Sequence, residues 1–400
     1  MLLHEVKTLA SAIQGQVVEM RRHLHAHPEL SFQEEQTAAY LSEQLLHWGI
    51  KHQKGIGGYG ISGLLQSGPH SDPCIALRAE MDALPIEEQN KVPYCSQNKG
   101  VMHACGHDVH MAALLGALFI LNQLRSEWRG SIRFIFQPGE EQLPGGANFI
   151  LESGVLELPK PRAIVAQHVF VDLRAGQVGF RSGRYMAASD ELFFTLKGKG
   201  GHAADPQNTN NPIFAAAALL TALGHLRSEL MQLDPPAILS IGTIRAGSAT
   251  NIVPETAELS GTLRTLDEPA RQKVVQRISS LIQQIQGKQH VQIDFFLKKG
   301  YPVLYNDERI TELCRQAAAA YVGKDRVAEL PVRMASEDFA FYLQKIPGCF
   351  YRLGVGNPER GIIHGVHTAA FDIDESALEI GSGLLAWITL VLLKYFNHDS

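Results

Sequence analysis

The sequence predicts an α/β protein. Its main domain has a mostly parallel central sheet flanked by helices, and a ferredoxin-like α+β domain is inserted into it. Three observations carry this. Short apolar runs alternate with helical stretches in the first half, as in parallel α/β layers. Three of those runs lead directly into polar residues: Ala76-Leu77 into Arg78 to Asp82, Phe134 to Phe136 into Gln137-Pro138-Gly139-Glu140-Glu141, and Ile164 to Ala166 into Gln167-His168. The middle of the chain reads instead as β-α-β-β-α-β, the split motif of ferredoxin-like domains.

The elements follow in chain order. Ser31-Phe32-Gln33-Glu34 has the form of a capping box opening a helix with Leu41, Leu45 and Leu46 on one face, ended at Gly49. Apolar runs at Cys74–Leu77, Ile132–Phe136 and Ala163–Ala166 read as strands, and His110–Leu124 between the first two has helical spacing. The insertion reads as strand 191–197, helix 212–230, strands 237–245 and 257–264, helix 268–286 and strand 291–297. Segments 310–322, 349–353 and 376–396 then complete the first domain. At 400 residues the chain exceeds what one core of about 250 to 300 residues usually holds. The expected boundaries are 1–185 and 298–400 for the main domain and 186–297 for the insertion.

Composition narrows the function. A net charge of -5, a pI near 6.4 and no run of lysine or arginine argue against nucleic acid or an anionic membrane as partner. The N-terminus lacks a basic segment followed by a long apolar core, so no secretory signal is expected. The apolar stretch 384–393 is about half the length of a membrane span and reads as a buried C-terminal helix. Five scattered cysteines suit a reducing cytoplasm better than a disulfide framework.

Residues 103–110, HACGHDVH, concentrate three histidines, a cysteine and an aspartate. With 17 histidines in the chain, any one of them is more simply a cap or a core residue. The cluster favours a metal site, and Cys105, His107, Glu141, His168 and His367 are all types that bind divalent transition metals once deprotonated. Glu140 and Glu141 are adjacent carboxylates at the end of a core strand. At a metal centre one can ligate while the other takes a proton from the attacking water.

These residues resemble the metal-dependent amidohydrolases of the aminoacylase and carboxypeptidase superfamily, in the branch of hippurate hydrolases, auxin-conjugate hydrolases and N-acyl-amino-acid deacylases. The resemblance runs from Arg21-Arg22-His23-Leu24-His25-Ala26-His27-Pro28-Glu29-Leu30-Ser31 through Met102 to Asp108 and Gln137 to Glu141. It continues in Gly198-Lys199-Gly200-Gly201-His202-Ala203 and ends in Ser336-Glu337-Asp338-Phe339 and His367-Thr368. It implies two divalent ions per subunit (Zn, Mn, Ni or Co) held by Cys105, His107, Glu141, His168 and His367. It implies Glu140 as general base, and a lid domain that also forms a homodimer or tetramer. His202 is implied to stabilise the oxyanion in a neighbouring subunit, and Asn251 and Arg264 to hold the substrate carboxylate. One departure stands out. Where the family usually has aspartate, this chain has Glu80, expected at the rim of the site, and retains Asp82, expected to orient a ligand.

The expected reaction is hydrolysis of the amide of a small N-acyl amino acid. The alternative is a dipeptidase or carboxypeptidase with the same chemistry. An inactive binding protein would want a missing base or ligand, and none is missing. A thiol redox protein built on Cys105 would want a partner cysteine at closer spacing than Cys95.

Overall fold

The computed structural model describes residues 1–69 and 71–398 and divides the chain into two compact units. The first comprises Met1–Gly183, Tyr305–Pro331 and Phe341–Ser400, the second Arg184–Leu304 and Val332–Ala340. The insertion is thus longer than its expected end at 297. It also takes in a later segment, 332–340, that the sequence reading left with the main domain.

The first unit is built on an eight-stranded sheet, ordered His52–Ile56, Gly60–Ser67, Gly130–Gln137, Cys74–Glu80, Ala163–Arg174, Gly348–Gly356, Val178–Phe180, Val327–Glu329. The central four strands run parallel. On one flank the first two strands run antiparallel. The short Val178–Phe180 strand is also antiparallel to its central neighbour. Cys74–Glu80 is buried at every position, as expected of a central strand covered on both faces. Its side chains join one core with helices Leu2–Ala26, His107–Gln123 and Ala377–His398.

The His107–Gln123 helix starts after Gly106, whose φ of 81° favours glycine; a Cβ there would lie 2.6 Å from Val169. The C-terminal helix runs 22 residues, so by length and composition it could cross a bilayer, beyond the ten-residue stretch noted from sequence. Its apolar face, including Leu384, Leu385, Ile388 and Leu392, is instead in the core.

The 31–34 segment does not cap a helix. The helix begins at Glu35, and its first amides are capped by the Glu29 carboxylate, which accepts from Gln36 N and Thr37 N at 3.1 and 2.8 Å. Leu41 and Leu45 are buried as expected, but Leu46 is 65% exposed. The helical register places it just outside the apolar stripe.

The second unit has four antiparallel strands in the order Ile238–Ala246, Thr256–Thr265, Ala188–Lys197, Gln292–Lys299. By order along the chain this is 2-3-1-4, the ferredoxin-like arrangement. Helices Pro212–Leu230 and Glu268–Gln289 cover one face, against Leu192, Phe194 and Leu196. The alternate residues face the other way, where Phe193 and Phe296 pair across strands and stay exposed.

Candidate metal centre

Four chain segments of the first unit bring Cys105, His107, Glu141, His168 and His367 together. Cys105 lies in the turn before the His107–Gln123 helix, and His107 is that helix's first residue. Glu141 follows the Gly130–Gln137 strand, His168 lies on Ala163–Arg174, and His367 sits in a later loop. Among the described residues potential ligand atoms fall within 4.8 Å of one another in five overlapping sets: Cys105, His107 and His168; Cys105, Glu141 and His367; His107, Glu140 and Glu141; Glu80, His107 and His110; and Glu140, Glu337 and Asp338. Cys105 Sγ is 3.4 Å from His168 Nε2 and 3.3 Å from His367 Nε2, and His367 Nε2 is 3.2 Å from Glu141 Oε1. His367 has a φ of 64°, a left-handed conformation that costs a non-glycine residue about 1 kcal/mol or more.

The rings of His107 and His168 are each held in one orientation. His107 Nδ1 is 2.8 Å from the Asp82 carbonyl and His168 Nδ1 is 2.9 Å from the Val169 carbonyl. A carbonyl only accepts, so each Nδ1 carries a hydrogen, and each Nε2 is left to offer its lone pair to a cation once it carries no proton. His107 Nε2 is buried without a hydrogen-bond partner and stands 4.0 Å from Glu141 Oε1, the oxygen that His367 Nε2 also approaches. Buried donors and acceptors are nearly always satisfied, so this pair fits a cation between them.

The electrostatics agree. Burial opposes charge on His107, but Asp82, Glu80 and Glu141 outweigh it and push its pKa up to about 10. Burial, with Glu141 and Glu140 nearby, raises the Cys105 thiol well above its ordinary range. Four carboxylates and a thiol gathered on so few positive groups suit divalent ions.

Several further groups hold this cluster in place, among them Asp82, which the sequence reading expected to orient a ligand. Asp82 is buried. Its Oδ1 lies 3.2 Å from His107 Nδ1, while Oδ2 accepts from Ser31 Oγ at 2.7 Å and Glu141 N at 2.9 Å. Glu80 is fully buried, not at the rim as expected. It pairs with Arg78, and its Oε2 is 2.9 Å from His110 Nδ1. His110 Nε2 accepts from Val169 N at 2.9 Å, so Glu80 supports the strand beside His168. Asp108, next to His107, accepts from Arg21 at 2.8 Å and faces His25 Nδ1 at 2.7 Å. Burial disfavours its charge, yet these two partners hold its carboxyl well below the usual range. The histidine- and arginine-rich stretch 21–27 thus supplies supports for the helix bearing His107. His103 is buried and its pKa is lowered to about 3 by burial, so it is neutral at pH 7 and none of the metal sets includes it.

His202, Asn251 and Arg264 belong to the second unit. His202 is exposed in the short Gly201–His202 strand, paired with Ile252–Val253. Its Nδ1 accepts from Ala204 N at 3.1 Å. Asn251 is exposed, and its carbonyl accepts from Ala203 N at 3.0 Å, which ties the two loops together. Arg264 is half-buried and donates to Ser336 Oγ at 2.8 Å.

Comparison with known proteins places these features in context. A model of peptidase family M20/M25/M40 matches residues 76–389. The chain is 40% identical over 368 residues to an N-acetyl-L-cysteine deacetylase of Bacillus subtilis, covering 92% of this chain and 86% of that protein. It is 34% identical over 401 residues to thermostable carboxypeptidase 2 of Saccharolobus solfataricus, covering 99% of each. Among solved structures, the YXEP protein of Bacillus subtilis, a dinuclear metal binding peptidase from the M20 family, superposes with a TM-score of 0.82 at 34% identity, covering 96% of this chain and 99% of that one.

Proposed function

The chain belongs to peptidase family M20/M25/M40, and from that premise we propose that it is a metal-dependent amidohydrolase cleaving the amide of small N-acyl amino acids. The observation that carries this reading is the convergence of Cys105, His107, Glu141, His168 and His367 beside Glu140, with the buried His107 Nε2 unsatisfied. These five residues would hold two divalent ions, of the class Zn, Mn, Ni or Co, where thiolate favours the softer members. Bound there, the ions supply a Lewis acid that polarises the acyl carbonyl and makes water more acidic.

The remaining steps fall to side chains. Glu140, buried at the end of the Gly130–Gln137 strand, takes the proton of the attacking water and later delivers it to the leaving amine. Asp82 holds the His107 ring through its carbonyl and a carboxylate oxygen. In this reading His202 donates to the oxyanion, and Arg264 and Asn251 bind the carboxylate of the amino-acid portion. The apolar outer face of the second unit, with Phe193 and Phe296, supports assembly into a homodimer through that unit. Five unpaired cysteines support a cytoplasmic location.

A second reading, cleavage of a peptide with a free C-terminus, is favoured by the carboxypeptidase relative. The two readings share the chemistry and differ in the acyl group. Replacing Glu140 by Gln keeps the volume and removes the base. Activity is expected to fall by roughly 10² to 10⁴, with metal content unchanged. Near-normal turnover in that variant would remove Glu140 from the reaction.

A further inference from the structure

We propose that Glu34 is a positioning residue that, with Ser31, fixes the loop carrying Glu140. The proposal rests on the reading of Glu140 as general base and adds what holds that base in place.

The hook Leu30–Glu34 is tied to the chain immediately after Asp82, where Leu30 bridges Ala83 and Ala83 N donates to the Glu29 carbonyl at 2.8 Å. Within the hook, one oxygen of Glu34 accepts from Phe32 N at 2.9 Å and from Gly139 N at 2.8 Å. The second bond crosses 105 residues and is buried. On the other side of Glu140, the amide of Glu141 donates to Asp82 Oδ2, which Ser31 Oγ also holds. The backbone amides on either side of Glu140 are therefore each captured by a carboxylate, one belonging to the hook and the other bound to it. Such bracketing restricts how the Glu140 peptide can rotate.

The surrounding conformation shows the same constraint. Phe32 has a φ of 64°, outside the region that a bulky side chain prefers. Gly139, with a φ of 62°, lies so close that a Cβ would sit 2.3 Å from the Phe32 ring. The ring in turn meets Phe149 edge-on, with centroids 5.7 Å apart. Strain of this kind persists where surrounding contacts over-determine it, and it gathers near active sites. Glu34 is itself fully buried, with a second oxygen that has no partner. A carboxyl group spent on two backbone amides in such a place contributes little to solubility and more to geometry, where a 1 Å misplacement can cost about 100-fold in rate.

The test is a mutant cycle in the metal-loaded full chain with an N-acetyl amino acid as substrate, recording kcat, KM, metal content and the thermal midpoint. Glu34→Ala should lower kcat roughly 10- to 100-fold with KM within about twofold and metal content unchanged. Glu34→Gln keeps an oxygen for both amides and should stay within about threefold of wild type. Ser31→Ala, a milder change, should lower kcat about two- to fivefold, so the proposal stays testable should Glu34→Ala not fold. Added to Glu140→Gln, Glu34→Ala should cost nothing further, because the base it positions is gone. A normal kcat in both Glu34→Ala and Ser31→Ala, an equal loss in Glu34→Gln and Glu34→Ala, loss of metal in Glu34→Ala, or full additivity with Glu140→Gln would each overturn the positioning role alone. Wild-type activity in Glu140→Gln would overturn the general-base reading beneath it.

Discussion

His107 holds two hydrogens in the metal-free protein and must lose the one on Nε2 to bind a cation there. Its pKa, raised to about 10 against an ordinary 6.5, means that the metal-free fold gains from the protonated ring fully below about pH 6.5 and loses that gain as pH rises through 10. Metal binding works against the same proton, so affinity should climb with pH up to that value. The buried Cys105 thiol, also raised, gives up a second proton. Full loading at pH 7.5 should release about two protons per chain, measurable as a dependence of the calorimetric heat on buffer ionisation enthalpy. No buffer dependence would mean that these two residues are not ligands.

At this scale the five gathered residues were legible because thiolate, imidazole and carboxylate are the types a transition metal takes, and because they stood in a recognisable order. Apart from Asp82, the supports were not. A helix cap and a loop clamp present the same Ser-x-x-Glu string, and only the partner 105 residues away tells them apart. Glu80 was misplaced because its direction depends on Arg78 and His110, which one residue number cannot convey.

At the scale of elements, apolar period and punctuation located the central strands and the long helices of the insertion, but missed helix Leu2–Ala26 and the strands His52–Ile56, Gly60–Ser67, Val178–Phe180 and Val327–Glu329, and several ends moved. The cysteine-to-leucine run at 74–77 extends to Glu80, and the first strand of the insertion begins at Ala188 where 191 was expected. Such ends are set by pairing with neighbouring strands, which local sequence does not encode. Glycines record another hidden constraint. Gly116 sits where helix His107–Gln123 meets Ala377–His398, and a Cβ there would be 2.4 Å from Ser382 Oγ. Gly116→Ala should therefore destabilise by about 1 to 3 kcal/mol through overpacking. Gly224 on the exposed side of Pro212–Leu230 has nothing within 4 Å, and Gly224→Ala should stabilise by about 0.5 to 1 kcal/mol. Thermal midpoints that moved in the same direction for both variants would contradict this packing account.

At the scale of the whole molecule, each unit has its own hydrophobic core, and the order of elements along the chain was enough to anticipate the sheet of the insertion and the parallel centre of the larger sheet, but not its antiparallel flank or its short edge strands. The segment 332–340 was not anticipated because membership of a unit is decided by packing, and nothing in its composition marks it. What unites the first unit is the cluster of acids and histidines at the carboxyl ends of its parallel strands, the usual ligand crevice of an α/β sheet. In the proposed reading that cluster is reactive only with cations bound. The most direct measurement is therefore reconstitution. Protein stripped with a chelator is titrated with Zn, Mn, Co or Ni, and hydrolysis of N-acyl amino acids is followed beside that of dipeptides. The account predicts no turnover before addition, a rise that saturates at about two ions per chain, and a higher kcat/KM on N-acyl amino acids than on dipeptides. Stripped protein that hydrolyses N-acyl amino acids at the loaded rate would contradict it.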